Sequence, residues 1–296
     1  MDKWIEVCTT RVREADKDRF LATLFAPERH RAPLFALYAF DAEISEVRDR
    51  INSPMPGEVR LQWWRDVLTE TERSYAGANP VALALREVVR NYALPVPLLL
   101  DLIDAHAFDL YNRPMPTLSA LQAYAAATSA TMIRLAAKVV NDGAEAEDEE
   151  AFRHAGMAST LTWLLRRFGT HSSRGQRYLP NDVLARHGAQ AADIGAGRVS
   201  KKLRSVLAGL RALAGSHLAT LKNEGPGVPE RLVPAFLPVS TAPLVLAAMG
   251  RAMADPFRPP VVPQWRRQLT LWRAARRPER FLNVRRDDPA GSGGRR

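Results

Sequence analysis

An acidic run over residues 41–49 is the first segment whose side chains could bind a metal ion. Residues three or four apart share one face of a helix, so Asp49 lies on the same face as Ser45 and Glu46. Two carboxylates in this arrangement could bind Mg²⁺ and, through it, a diphosphate. Because Ser45 replaces one carboxylate of the i, i+4 pair, we expect no metal ion here, with Glu46 and Asp49 as the fallback ligands. The alternative is a charged surface face that neighbouring arginines neutralise.

A pair of tryptophans forms the second segment, with Arg60 and Arg65 on either side of Trp63 and Trp64. Arginine is suited to phosphate because its planar guanidinium donates two parallel hydrogen bonds. We therefore predict that both arginines face a pocket and bind substrate. The alternative is core packing of an indole, with the arginines paired to nearby carboxylates.

Acidic residues and a histidine also recur at Asp101, Asp104, His106 and Asp109. Their spacing scatters them around a helix, whereas ligands of a metal site favour positions three or four apart on one face. We expect no metal site in this third segment.

A basic, hydroxyl-rich segment over residues 161–180 is the fourth. Its positive charge is concentrated at five positions, Arg166, Arg167, His171, Arg174 and Arg177. Together with hydroxyl groups and backbone amides, these side chains could hold an anionic headgroup in a loop. The segment contains no carboxylate, so it cannot hold a divalent metal by itself. A purely structural loop is the alternative.

The elements that must position these segments are helices, because apolar residues recur with a helical period and prolines lie near the predicted helix ends. No segment alternates with a period of two, and alanine and leucine favour helices. The pattern predicts helices over residues 2–24, 31–51, 57–76, 79–93, 96–111, 117–141, 147–168, 180–187, 198–223, 229–253 and 262–277. We expect one all-α, multi-helix bundle over residues 1–278 and a basic, disordered tail over residues 279–296.

Composition limits the class of protein. A chain of 296 residues with 46% hydrophobic residues can bury one large core. Cys8 is the single cysteine, which excludes an internal disulfide and a thiolate zinc site and fits a reducing compartment. The first residues are charged and lack an apolar run, so we expect neither a secretory signal nor a transit peptide.

The positive charge is concentrated near the C-terminus. Residues 264–296 contain ten arginines and three acidic residues, whereas the whole chain has a net charge of +10. A basic segment of this kind could be simply solvated, or could bind an anionic membrane surface. We expect no specific binding of nucleic acid.

A stretch of nineteen uncharged residues lies between Arg231 and Arg251. Its length is close to that of a membrane-spanning helix. Pro234, Pro238 and Pro243 interrupt it, and each removes a backbone donor and bends the chain. We therefore predict a kinked helix in the protein core.

The four segments together resemble the squalene/phytoene synthase family over about residues 10–275. Residues 38–40, which lead into the acidic run, look like the first motif of that family. Residues 60–65 look like its R-L-x-x-W segment, and residues 174–180 are similar to its R-G-R-x-Y-L-P signature.

The resemblance implies an isoprenoid-synthase bundle around a central cavity, in which two D-x-x-x-D motifs bind Mg²⁺ and two prenyl diphosphates condense head to head. At these motifs the chain has Ser45 and Asp49, then Arg167 and His171. With three of four carboxylates missing, we expect no catalytic residues and no cofactor, and Mg²⁺ only if the chain is an enzyme. Our predicted substrate-binding residues are Tyr38, Arg60, Arg65, Arg167, His171, Arg174 and Tyr178.

A non-catalytic branch of the family resembles assembly factors of respiratory complex I. Our main prediction is such an assembly factor or scaffold, with a respiratory-complex subunit as partner. We expect a cytoplasmic protein, peripheral on the inner membrane through its basic C-terminal segment. One alternative is a head-to-head prenyltransferase with a rewired site. Another is a peripheral protein that binds an isoprenoid or another lipid without chemistry.

Overall fold

The computed structural model of the protein describes residues 3–51, 53–70, 79–223, 227–250 and 255–286. In these residues the α-helices are α1 (Lys3–Ala15), α2 (Lys17–Thr23), α3 (Glu28–Ser45), α4 (Pro54–Thr69), α5 (Pro80–Asn91), α6 (Val96–Ala107), α7 (Leu118–Ala125), α8 (Thr131–Val140), α9 (Glu149–Arg166), α10 (Phe168–Ser173), α11 (Asn181–Arg186), α12 (Ala191–Gly195), α13 (Lys201–Asn223), α14 (Val233–Phe236), α15 (Ala242–Met249) and α16 (Gln264–Arg276). Shorter elements are the 3₁₀ turns Val47–Arg50, Phe108–Leu110, Glu230–Leu232, Leu237–Thr241 and Pro278–Arg280, a π turn (Ala126–Ala130), and strands β1 (Val228–Pro229) and β2 (Val284–Arg285).

Helix α3 lies at the centre of the bundle. Every residue from Leu34 to Ile44 is buried, so this helix is enclosed on all sides. It packs against α1, α5 and α8, while a second apolar cluster is built around α9 and α13. Since Asp41 and Glu43 belong to the enclosed stretch, partner cations must compensate their buried charges.

The predicted all-α fold is confirmed, although two long predicted helices are divided. The helix predicted over residues 2–24 breaks at Asp16, whose carboxylate accepts hydrogen bonds from the backbone amides of Asp18 and Arg19 and caps α2. The helix predicted over residues 31–51 ends at Ser45 and gives way to a 3₁₀ turn. The predicted end of α4, residues 71–76, lies outside the described residues.

The apolar stretch Glu230–Met249 is long and apolar enough to cross a membrane by length and composition, with a mean hydropathy of 1.9. Its prolines divide it into two short helices and two 3₁₀ turns, so the single helix predicted over residues 229–253 is not observed. Of this stretch, 61% is buried inside the fold, where it packs on α8, α9 and α16. This burial is the arrangement expected of a kinked core segment.

Part of the segment predicted as a disordered tail is ordered. Residues 279–286 contain Leu282, which is fully buried, and β2, which pairs in parallel with β1. The backbone amide of Val228 donates to the carbonyl of Asn283 at 2.7 Å. Apolar residues within the basic sequence therefore extend the domain to Arg286, and residues 287–296 lie outside the described residues.

A π turn separates α7 from α8, where the sequence predicted one helix over residues 117–141. Helix α9 approaches the backbone of this turn very closely, because Gly156 of α9 has no side chain. A methyl group there would lie 2.5 Å from Cβ and 2.6 Å from the backbone nitrogen of Ala130. The hydroxyl of Thr160 on α9 donates to Ser129 Oγ at 2.8 Å. Close packing of α9 thus fixes the position of the π turn, which contains Thr128 and Ser129.

Replacing Gly156 with alanine should destabilise the protein by about 2–3 kcal/mol, because the added methyl group meets the backbone of a packed helix. Urea denaturation followed by circular dichroism measures this effect. Gly209 of α13 is a matched control, since a methyl group there meets nothing within 4 Å. Gly209→Ala should be neutral or stabilise by up to about 1 kcal/mol. Equal effects of the two substitutions would contradict the packing described here.

Candidate functional site

A cavity of about 230 Å³ lies between α3, the segment from α7 to α9, and residues 235–245. Many ionisable side chains line it: Asp16, Asp18, Arg19, Asp41, Glu46, Arg48, Asp49, His106, Asp109, Arg166, Arg167 and His171. Four of the predicted substrate-binding residues belong to its wall, namely Tyr38, Arg167, His171 and Tyr178. The structure therefore brings residues of the acidic and basic segments together at one cavity.

Two arginines from the opposite wall bind Asp49. Arg167 Nη2 donates to Asp49 Oδ2 at 3.1 Å, and Arg174 Nη1 donates to Asp49 Oδ1. Asp49 belongs to the 3₁₀ turn after α3, whereas the arginines flank α10. One carboxylate thus joins two distant segments of the chain, and a guanidinium stands where the resemblance expects a metal-binding aspartate.

Part of the basic segment, Phe168–Ser173, forms helix α10 where a loop was predicted. Its hydroxyl groups serve the backbone of α10, since Ser172 Oγ donates to the carbonyl of Phe168 at 2.8 Å and Ser173 Oγ to that of Thr170 at 2.9 Å. These two hydroxyls are therefore engaged inside the helix. Ser172 and Ser173 therefore do not provide the hydroxyl groups that were expected to bind an anionic headgroup.

His171 lies between aromatic rings instead of adding positive charge. Its ring centroid is 4.7 Å from that of Trp163 and 4.8 Å from that of Tyr178. Burial, followed by the charges of Arg167 and Arg174, lowers the pKa of His171 from 6.5 to about 3. The imidazole is therefore neutral near pH 7, and the cationic character of this wall comes from the arginines.

Glu46, the other fallback metal ligand, is also engaged by arginines. Arg11 Nη2 donates to Glu46 at 2.7 Å and Arg50 Nη2 donates to it at 3.2 Å. Arg11 Nε reaches Glu43 at 2.7 Å, and Arg60 Nη2 reaches Glu43 at 3.0 Å. Burial alone would raise the pKa of Glu43, but these arginines lower it, so the carboxylate remains charged. The result is a network of arginines and carboxylates beside the cavity.

Neither Arg60 nor Arg65 lines this cavity, although Arg65 lines a separate, open pocket at the surface together with Trp63 and Asp66. The Arg60 guanidinium lies 4.7 Å from the ring centroid of Trp63, while Trp64 is fully buried. Arg65 Nε donates to Asp104 at 2.8 Å near the surface. Because carboxylates on neighbouring helices already pair with both arginines, the alternative of core packing with ion pairs describes this segment.

The sequence did not predict that Asp109 is the shared hydrogen-bond acceptor of several side chains in the cavity wall. This buried carboxylate accepts hydrogen bonds from His106 Nδ1 at 2.7 Å, from Tyr178 at 2.6 Å and from Tyr124 at 3.0 Å. Burial alone would lower the pKa of His106, but the hydrogen bond and charge of Asp109 raise it. The three-residue spacing of His106 and Asp109 was the available signal, because residues three apart on a helix can contact each other.

The charges in the cavity do not fit Mg²⁺. Asp49 and Glu46 each accept hydrogen bonds from two arginines, so guanidinium groups occupy the positions from which a cation would attract these carboxylates. Mg²⁺ requires near-octahedral oxygen coordination. Within the described parts of the chain, no cluster of three His, Cys, Asp or Glu side chains is arranged to hold a metal ion.

The chain belongs to the squalene/phytoene synthase family, because the sequence profile of that family matches residues 12–273. Solved structures share its fold. A dehydrosqualene synthase determined with a ligand superposes with a TM-score of 0.77 at 17% identity, covering 94% of this chain and 98% of that one. A squalene synthase from Alicyclobacillus acidocaldarius gives a TM-score of 0.68 at 21% identity, covering 83% and 92%.

Two kinds of curated relative are similar in sequence. One is NADH dehydrogenase (ubiquinone) complex I, assembly factor 6, which is 28% identical in Rattus norvegicus and 26% identical in Homo sapiens over 252 residues, 85% of this chain and 75% of the relative. The other is the chloroplastic phytoene synthase 1 of Arabidopsis thaliana, which is 27% identical over 211 residues, 70% of this chain and 49% of the relative.

Replacing Asp49 with asparagine should destabilise the protein by about 1 kcal/mol, because Arg167 and Arg174 then face each other without the anion that they share. The free energy of unfolding in urea measures the loss. Asp104→Asn is the matched control, since it breaks a pair with the single arginine Arg65 and should cost less than about 0.5 kcal/mol. A loss at Asp49 no larger than that at Asp104 would argue against a structural role for the cross-cavity pairs.

His171 should make the protein sensitive to acid. The imidazole of His171 has a pKa of about 3 in the folded state and about 6.5 in the unfolded state. Protonation between these two pH values therefore favours the unfolded state, so the free energy of unfolding is highest above pH 6.5 and falls as the pH decreases. At about pH 4 the loss from this group amounts to roughly 2–3 kcal/mol. His171→Phe keeps an aromatic ring and should remove this part of the loss. Identical pH profiles of unfolding free energy for both proteins would refute the prediction.

Proposed function

We propose that the protein is a non-catalytic member of its family that acts in the assembly of respiratory complex I. The observation that carries the proposal is the binding of Asp49 by Arg167 and Arg174 across the cavity. Metal-assisted release of diphosphate needs a cation beside these carboxylates. Here the protein supplies fixed positive charges at that place instead.

The size and polarity of the cavity support the same proposal. Ligand pockets commonly measure about 300–1,000 Å³, and this cavity, at about 230 Å³, lies below that range although a condensing enzyme must hold two substrates. Arg19 binds Asp41, and Asp109 is the acceptor for three neighbours within the wall. An allylic cation needs apolar surroundings that exclude water and nucleophiles. This wall places carboxylates and hydroxyls among apolar residues such as Met132.

The relationship to complex I assembly factor 6 supports the choice of partner. Those relatives match 85% of this chain, against 70% for phytoene synthase 1 of Arabidopsis thaliana. We propose a subunit or assembly intermediate of the respiratory complex as the protein partner, with the protein in the cytoplasm and peripheral on the inner membrane. An isoprenoid or other lipid bound without chemistry is compatible with this role, because the cavity retains apolar residues such as Met132, Ile133 and Val245.

Deletion of the gene in the organism that encodes it tests the proposal. We expect loss of fully assembled complex I on native gels and loss of NADH:quinone oxidoreductase activity in membranes, with both restored by a plasmid copy. The content of squalene-type and phytoene-type lipids should not change. Normal complex I together with loss of such a lipid would contradict the assembly role and favour the prenyltransferase alternative.

Product analysis with the purified protein separates the two functions directly. Incubation with farnesyl or geranylgeranyl diphosphate and Mg²⁺ should release no diphosphate above the rate without protein. Turnover that disappears in Asp49→Ala would show catalysis at this site. The result would then exclude a non-catalytic member whatever the phenotype of the deletion.

A further inference from the structure

Helix α16 presents a basic and aromatic face to solvent. Its exposed side chains are Trp265, Arg266, Gln268, Trp272, Arg273 and Arg276, which we call the α16 face. At 100° per residue these positions fall on one side of the helix, opposite the buried Leu271 and Ala274. The helix is thirteen residues long, so the face extends over about 20 Å.

The two tryptophans of the α16 face are exposed to an extent that is uncommon for such large side chains. Trp265 is 60% exposed and Trp272 is 45% exposed. An arginine lies against each ring, with Arg266 at 5.3 Å from the Trp265 centroid and Arg276 at 5.0 Å from that of Trp272. Each pair therefore combines an apolar ring with a cation at the surface.

The positive charge of this face is not neutralised. Helix α16 contains no acidic residue. In the described part of the chain, Arg266, Arg273 and Arg276 form no ion pair with a carboxylate, in contrast to Arg19 and Arg167 at the cavity. The nearest acid in sequence is Glu279, in the 3₁₀ turn that follows. The arginines are thus available to an external anion.

The face is held rigidly on the domain. Arg267 points inward, and its Nε donates to Asp18 Oδ2 at 2.9 Å. Asp18 lines the cavity and also accepts a hydrogen bond from Thr241. Since α16 packs on α2 and on the apolar segment 237–241, its outer side chains keep a fixed direction relative to the cavity wall.

We infer that the α16 face is a docking surface for an anionic phospholipid bilayer. The tryptophans insert at the level of the headgroups, where an amphipathic ring is favoured, and the arginines bind lipid phosphates. This docking surface deepens the peripheral membrane location in the proposed function, whereas the part of that proposal that concerns complex I assembly does not depend on it.

Charge and aromatic content together favour a bilayer over other polyanions. Arginines alone would suit any anionic partner, but two exposed indoles on one helical face gain from burial in an apolar layer. Trp272 follows Trp265 by two helical turns, so both rings reach the same plane when the helix lies flat. A flat, laterally extended anionic surface matches this arrangement.

Vesicle flotation tests the inference with the full chain. The protein should float with vesicles of phosphatidylcholine that contain about 30% phosphatidylglycerol and stay unbound with phosphatidylcholine alone, and binding should weaken as salt increases. Replacing Arg266, Arg273 and Arg276 with glutamine should reduce the partition coefficient roughly 100-fold, at about fivefold per arginine. The matched control replaces the same number of exposed arginines on other helices, Arg90, Arg186 and Arg198, and should bind as the wild type does.

Tryptophan fluorescence distinguishes docking through this face from charge attraction elsewhere. Anionic vesicles should shift the emission to the blue and protect it from a soluble quencher, and the double variant Trp265→Phe/Trp272→Phe should lose the change. Circular dichroism verifies that each variant is folded.

Three outcomes would overturn the inference. One is equal binding to neutral and anionic vesicles. Another is equal binding by the α16 triple variant and the control triple variant. The third is binding to single-stranded RNA, or formation of a dimer, that depends on the α16 arginines while anionic vesicles do not bind. None of these bears on the test of complex I assembly in the deletion strain, so the two proposals can fail separately.

Discussion

The cross-cavity ion pairs of Asp49 with Arg167 and Arg174 are the contacts on which the rest of the site depends. They connect the turn after α3 with both ends of α10, over sequence separations of 118 and 125 residues. In a metal-dependent relative, carboxylates on facing walls would repel each other until cations were bound. Here the facing wall is cationic, so the two sides attract each other in the protein alone.

The same compensation extends through the interior. Buried carboxylates on α3 require partners, and Arg11, Arg19 and Arg60 supply them. Asp109 is satisfied by an imidazole and two phenols. These contacts specify the geometry of the cavity more than they add stability, because ion pairs repay only part of the cost of desolvation. The charges around the cavity are thereby compensated by side chains of the same chain.

Sequence patterns were sufficient for the all-α fold and the family, because helical spacing and motif positions determine them. Whether Asp49 faces Arg167 was left open by the sequence and is answered by their ion pair in the structure. Sequence patterns were insufficient wherever a long-range contact decides the outcome. Arg60 and Arg65 were predicted to bind substrate because arginine suits phosphate, but in the structure they form ion pairs with Glu43 and Asp104. Likewise, the ordered end at Leu282 depends on a core site that local basic sequence cannot reveal. The π turn beside Gly156 depends on helix contact in the same way.

Thermal unfolding in the presence and absence of Mg²⁺ tests the central claim most directly, namely that protein cations have taken the place of metal ions. A ligand that binds the folded state at about 100 times its dissociation constant stabilises it by roughly 2.7 kcal/mol. We predict no change in the unfolding midpoint between excess chelator and about 10 mM Mg²⁺, with or without inorganic diphosphate, because Asp49 and Glu46 are already bound by arginines. A midpoint that rises with Mg²⁺ concentration in the wild type, and not in Asp49→Asn, would contradict the account.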